Sequence, residues 1–198
     1  MAETNARPNL WLVRHGETEW ARLLRHTGRT DVPLTPRGRA QAAAVAAKLA
    51  GTTFGLVVSS PLSRALDTGR LAGFTDRVTT DDDLLEWDYG DLEGRTTAEI
   101  REGLPDWTIW RGPVPGGEAA EDVATRVDRF IARVRTDETS DGAVLAFAHG
   151  HVLRVLTARW LGRPPTDGGM FALSTATVSV LGWEHGAPVV VRWNEACG

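Results

Sequence analysis

Apolar residues fall along this chain in two rhythms. Short unbroken runs at residues 10–13, 56–59 and 144–148 have the length of strands buried on both faces. Between them lie stretches of helical period. TPRGRAQAAAVAAKLAG, residues 35–51, opens on a Thr-Pro cap and stops at Gly51, which predicts a helix. Ser60-Pro61 opens a second helix, residues 118–135 set Val123, Val127, Phe130, Ile131 and Val134 on one stripe, and a further helix follows His149. TVSVLGWEHGAPVVVRW reads as a hairpin turning at residues 184–187. Residues 81–117, rich in Trp, Gly, Pro and acids, predict only short helical pieces.

Strands alternating with helices predict a layered α/β fold with a largely parallel sheet. Its length suits one domain over residues 1–198, with a cap or insert at about 88–117. In such sheets ligands gather beyond the carboxyl ends of the strands. Here the strand ends run straight into Arg14-His15, SSPLSR with Arg64, and His149-Gly150.

Composition narrows the partners. A formal charge of -4 and a pI near 5.7 argue against a general nucleic-acid binder. Lys48 is the only lysine, so cationic recognition falls to arginine, which binds anions through a planar fork. A lone Cys197 excludes a disulfide framework. MAETNARPN has no signal-peptide core, and no apolar run approaches the ~18 residues of a membrane span. The expectation is a cytoplasmic protein with no membrane partner. The C-terminal hairpin, with Trp183 and Trp193, is a candidate homodimer interface as well as candidate core.

The strand ends carry the chemistry. Arg64 lies in the first turn of a helix, where the macrodipole disfavours a cation; a bound anion would offset that penalty, although covering a neighbouring carboxylate remains an alternative. His149 and Gly150 form a second strand-to-helix junction suited to an anion. Two arginines and two histidines together suit a phosphate dianion, with one imidazole attacking and another donating. In DDDLLEWDYGDLEG, Glu86 is flanked by Leu85 and Trp87, a setting that favours the protonated form a general acid needs, whereas Asp81, Asp82 and Asp83 read as solvated charge. A metal centre at His15, His26, His149 and His151 is the competing chemistry, but no H-x-x-x-H spacing occurs and the arginines would repel a cation; no metal is expected. His151 is placed to orient at the helix start or touch substrate, and His185 sits in the hairpin turn.

LVRHGETEW, SSPLSRALDT, LLEWDYGDLEG and FAHGHVLR, taken in that order, resemble the histidine phosphatase superfamily, which includes cofactor-dependent phosphoglycerate mutase and many phosphomonoesterases. The resemblance implies a three-layer α/β/α sandwich of the phosphoglycerate mutase type, no metal or other cofactor, and a phosphohistidine intermediate. By it, His15 is the nucleophile. Arg14, Arg64 and His149 hold the phosphoryl group, Glu86 protonates the leaving oxygen and then activates water, and Thr27 and Gly28 edge the pocket. Mutases place Asn where this chain has Ala21, and carry an adjacent pair of arginines; here Arg101 and Arg111 stand apart. EWDYGDLEG and W-x-x-W-R-G are similar to acid phosphatases and sugar bisphosphatases of the superfamily, and Trp107 and Trp110 are expected to form a substrate-facing cap. The reading is a phosphomonoesterase acting on a small phosphorylated metabolite. A mutase or sugar bisphosphatase is the alternative, and a non-catalytic phospho-ligand module a third.

Overall fold

A computed structural model describes residues 7–136 and 142–197; the first six residues read above for a targeting signal lie outside it. In chain order the elements are β1 (Leu10–Arg14), α1 (Glu19–Arg22), α2 (Pro36–Leu49), β2 (Phe54–Ser59), α3 (Ser63–Gly69), β3 (Thr79–Thr80), α4 (Thr97–Arg101), α5 (Ala120–Thr136), β4 (Ala143–Ala148), α6 (Gly150–Trp160), β5 (Thr177–Glu184) and β6 (Ala187–Ala196). They build one six-stranded sheet in the order β3-β2-β4-β1-β5-β6. Strands β1 to β4 pair in parallel, and the β5–β6 hairpin adds the antiparallel edge.

Alternation along the central strands explains the layers. Leu10 and Leu12 of β1 and Val144, Ala146 and Ala148 of β4 face one core with Val123, Val127 and Phe130 of α5 and Leu153 and Trp160 of α6. Val13, Leu145 and Phe147 face the other, against Val45 and Leu49 of α2 and Ala72 beyond α3. Both faces are covered, so the strands read as continuous apolar runs. The expected α/β/α sandwich forms, with α2 and α3 on one face and α5 and α6 on the other.

Local chemistry sets the boundaries. Thr35 caps α2 by accepting from the Gly38 N–H at 2.9 Å, with Pro36 in the first turn. The hairpin turns at His185-Gly186, both at positive φ (48° and 82°), the two-residue geometry that matches strand twist. The second helix starts later than Ser60-Pro61 suggests, at Ser63.

Two expectations fail. Asp83 is not solvated: it is buried and accepts from Arg129 at 2.6 Å and Arg133 at 2.8 Å, fastening its turn to α5. Trp107 lies in the core and Trp110 packs against it, so neither ring stands free as a cap. The Trp107 ring is buried and its Nε1–H donates to the Pro113 carbonyl at 2.9 Å, while Trp110 packs edge-on to Trp87 and under the Arg154 guanidinium. At the hairpin, Trp183 packs on Trp160 and Trp193 on Phe171. Among the described residues, no helix is long and apolar enough to cross a membrane.

Candidate active site

A cavity of about 660 Å³ opens where β1 and β4 end, bordered by Arg14, His15, Thr27, Glu86, Gly150 and His151, with Ala21, Arg25, Tyr89, Arg101 and Arg154 among its other walls. That volume lies within the usual range for a small-molecule site.

His15 follows β1 directly. Its Nδ1 lies 2.7 Å from the Gly16 carbonyl, which can only accept, so the proton sits on Nδ1 and Nε2 keeps a lone pair. Burial, then the charges of Arg64 and Arg14, hold this imidazole well below the usual histidine range, so it is neutral at pH 7. The turn after it admits no side chain: a Cβ on Gly16 would sit 2.3 Å from the Gly38 carbonyl oxygen.

Arg14 lies across the start of α6. A Cβ on Gly150 would approach its guanidinium carbon to 3.3 Å, so only glycine leaves this approach uncrowded. One Nη1 donates to the Leu173 carbonyl, the buried Nε has no hydrogen-bond partner, and no carboxylate pairs with Arg14 among the described residues. A buried cationic donor without a partner is the group an anion would complete.

Glu86 stands opposite a helix start. Its Oε1 accepts from the Trp87 N–H and the Val152 N–H, both at 2.9 Å, and its Oε2 from the His151 N–H at 3.0 Å. The two α6 amides are otherwise orphan donors of the first turn. This corrects the expected apolar surround: amides, not Leu85 and Trp87 side chains, receive the carboxyl group. With three of four lone-pair positions used, Oε2 keeps one for a proton. Arg126 fixes the loop from behind, donating to the carbonyls of Asp83 (2.9 Å), Leu85 (2.6 Å) and Glu86 (3.2 Å) and pairing with Glu118.

Arg64 and His149 are brought together beside His15, at the ends of the paired strands β1 and β4. Both are fully buried and neither borders the cavity. Arg64 Nε donates to His149 Nδ1 at 3.1 Å, Nη1 to the Thr30 carbonyl at 3.0 Å, and Nη2 to the carbonyls of Thr27 at 3.1 Å and Gly28 at 2.8 Å. Only one of its five N–H groups is left. Because His149 Nδ1 accepts, its proton sits on Nε2 and donates to Ser60 Oγ at 2.7 Å. The pair stands behind His15, its imidazole centroid 5.2 Å from that of His149. Gly28 is likewise structural, giving its N–H to Glu93 at 2.8 Å, whereas Thr27 borders the cavity.

Sequence reasoning missed Tyr89, Arg126 and Arg154. Arg126 had a readable signal: it lies on the stripe defined by Val123, Val127 and Phe130, where a charge must be buried and therefore bonded. Tyr89 and Arg154 carried none beyond their neighbourhood.

Residues 10–196 match the model of the histidine phosphatase superfamily, branch 1. An acid phosphatase of Mycobacterium tuberculosis is 44% identical over 184 residues, covering 89% of this chain and 87% of that one. A 2,3-bisphosphoglycerate-dependent phosphoglycerate mutase of Parvibaculum lavamentivorans is 34% identical over 206 residues, covering 96% and 93%. The solved structure of an open reading frame product of Mycobacterium tuberculosis superposes with a TM-score of 0.91 at 39% identity, covering 96% of this chain and 99% of that one. A mycobacterial glucosyl-3-phosphoglycerate phosphatase in complex with VO3 gives 0.84 at 30% identity, covering 96% and 100%.

Proposed function

Because this chain belongs to the histidine phosphatase superfamily and is a phosphatase of small phosphorylated metabolites, we propose that it works through a phosphohistidine formed on His15. The observation that carries this reading is the neutral imidazole, its Nδ1 tied to the Gly16 carbonyl, which leaves a free Nε2 lone pair in a cavity shared with Arg14 and Glu86.

In the first step Nε2 attacks phosphorus, the P–O ester bond breaks, and the leaving oxygen takes the proton from Glu86. In the second, water attacks phosphorus, Glu86 takes its proton, and the P–N bond breaks to release phosphate and restore His15. Charge on the transferring oxygens is met by Arg14, whose buried guanidinium has donors to spare, and by the remaining Arg64 N–H. Arg64 and His149 act chiefly by holding residues 27–30 and the floor beneath the imidazole.

Hydrolysis is favoured over isomerisation by Ala21, which borders the cavity without the amide of the mutases. Part of the segment expected to form a cap supplies wall residues Tyr89, Thr97 and Arg101, on the substrate side. A lone, partly buried Cys197 suits a reducing compartment, and we place the enzyme in the cytoplasm. The test is trapping: brief reaction with 32P-labelled phosphomonoester and an alkaline quench should leave label on the peptide bearing His15. Label retained by His15→Ala would move the nucleophile elsewhere.

A further inference from the structure

His151 is a half-buried imidazole that the two chemical steps above do not use. Its backbone N–H holds Glu86, so its ring begins beside the proposed acid. The ring is walled by Tyr89, Trp87 and Trp110, with centroids 5.9, 6.5 and 5.2 Å away, and it borders the cavity. Its Nδ1 lies 2.6 Å from the Tyr89 hydroxyl.

The tautomer follows from that contact. Tyr89 has one hydroxyl proton, and among the described residues His151 Nδ1 is its only hydrogen-bond partner. Were Nδ1 to carry a proton, the phenol hydrogen would be left without an acceptor among the described residues; with Tyr89 donating, both groups are satisfied. The ring proton then sits on Nε2, which is not among the buried unpartnered atoms and is open to the cavity.

We propose that His151 is a specificity-determining residue, presenting a fixed Nε2–H donor to an oxygen of the leaving group beyond the ester bond, and that Tyr89 is the positioning residue which sets its tautomer. The substrate class this selects is a phosphorylated polyol or similarly oxygenated ester over one whose leaving group offers no acceptor there. An unpaired donor facing an apolar leaving group is the mismatch that discriminates most strongly. The inference rests on the phosphatase reading for its turnover test and is independent of it for its spectroscopic one.

The experiment measures kcat and KM for p-nitrophenyl phosphate, glycerol 2-phosphate and glucose 6-phosphate in the wild type, Tyr89→Phe and His151→Gln. In parallel, long-range 1H–15N correlation spectra assign the His151 tautomer. The expected result is an Nε2–H tautomer in the wild type that changes in Tyr89→Phe. Both variants should lose about tenfold more kcat/KM on the better polyol phosphate than on p-nitrophenyl phosphate, mainly in KM. An Nδ1–H tautomer in the wild type, or equal losses on both substrate types, overturns the proposal. If Tyr89→Phe fails to fold, His151→Gln and the wild-type spectrum decide. A wild type that hydrolyses none of the three esters defeats the phosphatase reading instead, and the spectrum still decides the tautomer.

Discussion

Replacing Arg64 with lysine separates two accounts of the phosphate end of the site. If the guanidinium mainly grips phosphate, lysine keeps the charge and the fold, and only turnover suffers. The structure argues otherwise. Arg64 is fully buried and gives four N–H bonds, to His149 Nδ1 and to the carbonyls of Thr27, Gly28 and Thr30, at 2.8–3.1 Å. An ammonium is a single point with three donors and cannot span a fork on one side and an imidazole on the other. With three donors for four acceptors, at least one acceptor loses its partner. A hydrogen bond from a charged group contributes about 1.5–3 kcal/mol, so the loss is at least about 1.5–3 kcal/mol, a sizeable part of a typical domain's stability. Urea unfolding of wild type and Arg64→Lys, followed by tryptophan fluorescence, should show the midpoint falling at constant m-value. For a chain of this size the melting temperature should drop by roughly 3–12 °C. Stability within about 1 kcal/mol of wild type, with phosphate affinity lost, would refute the reasoning and return Arg64 to direct phosphate binding.

Glu86→Gln should lower kcat by about 10²–10⁴-fold on an alkyl phosphate and by less on p-nitrophenyl phosphate, whose leaving group needs less protonation; equal losses would remove Glu86 as the acid. The acid limb of kcat/KM should lie well below the usual histidine range, because burial and the charges of Arg64 and Arg14 keep His15 neutral; a limb near pH 6.5 would mean that the nucleophile is solvated. Folding stability should fall on acidification from pH 7 to 5. Burial lowers His26 to about 4 and holds His15, His149 and His151 well down, so the unfolded chain binds more protons below about pH 6.5 and each histidine removes about 1.4 kcal/mol per pH unit. That loss continues for His26 until about pH 4, and thermal melts of His26→Phe should show a shallower slope.

Much of the frame was legible because strand and helix periods are local properties. The runs at 10–13, 56–59 and 144–148, alternating with helices, read as strands of a parallel sheet and put His15 and His149 at strand ends; that those ends are adjacent comes from the β1–β4 pairing. What stayed hidden depends on partners far along the chain. Nothing near Asp83 announces that α5 will bring Arg129 and Arg133 against it, so a run of three acids reads as solvated. Trp107 and Trp110 look like a lid because the segment lacks a period, yet their rings find Pro113, Trp87 and Arg154 and turn inward.

The same limit explains why residue types pointed to the right chemistry but not to its division of labour. Arginine and histidine at strand ends indicate an anion site, and the cavity does border Arg14 and His15. Which cation faces the anion is decided by unpaired backbone carbonyls, and these have no signature in side-chain identity. Thr27, Gly28 and Thr30 present three carbonyls toward Arg64, and together with His149 they leave its guanidinium one N–H of five to offer an anion. Among the described residues, Arg14 meets only the Leu173 carbonyl and keeps its Nε unpaired. We therefore expect Arg14 to be the freer of the two cations to meet substrate, with Arg64 giving most of its donors to the wall and to the His149 imidazole. Losing the first should cost affinity and turnover with stability intact, and losing the second should cost stability as well.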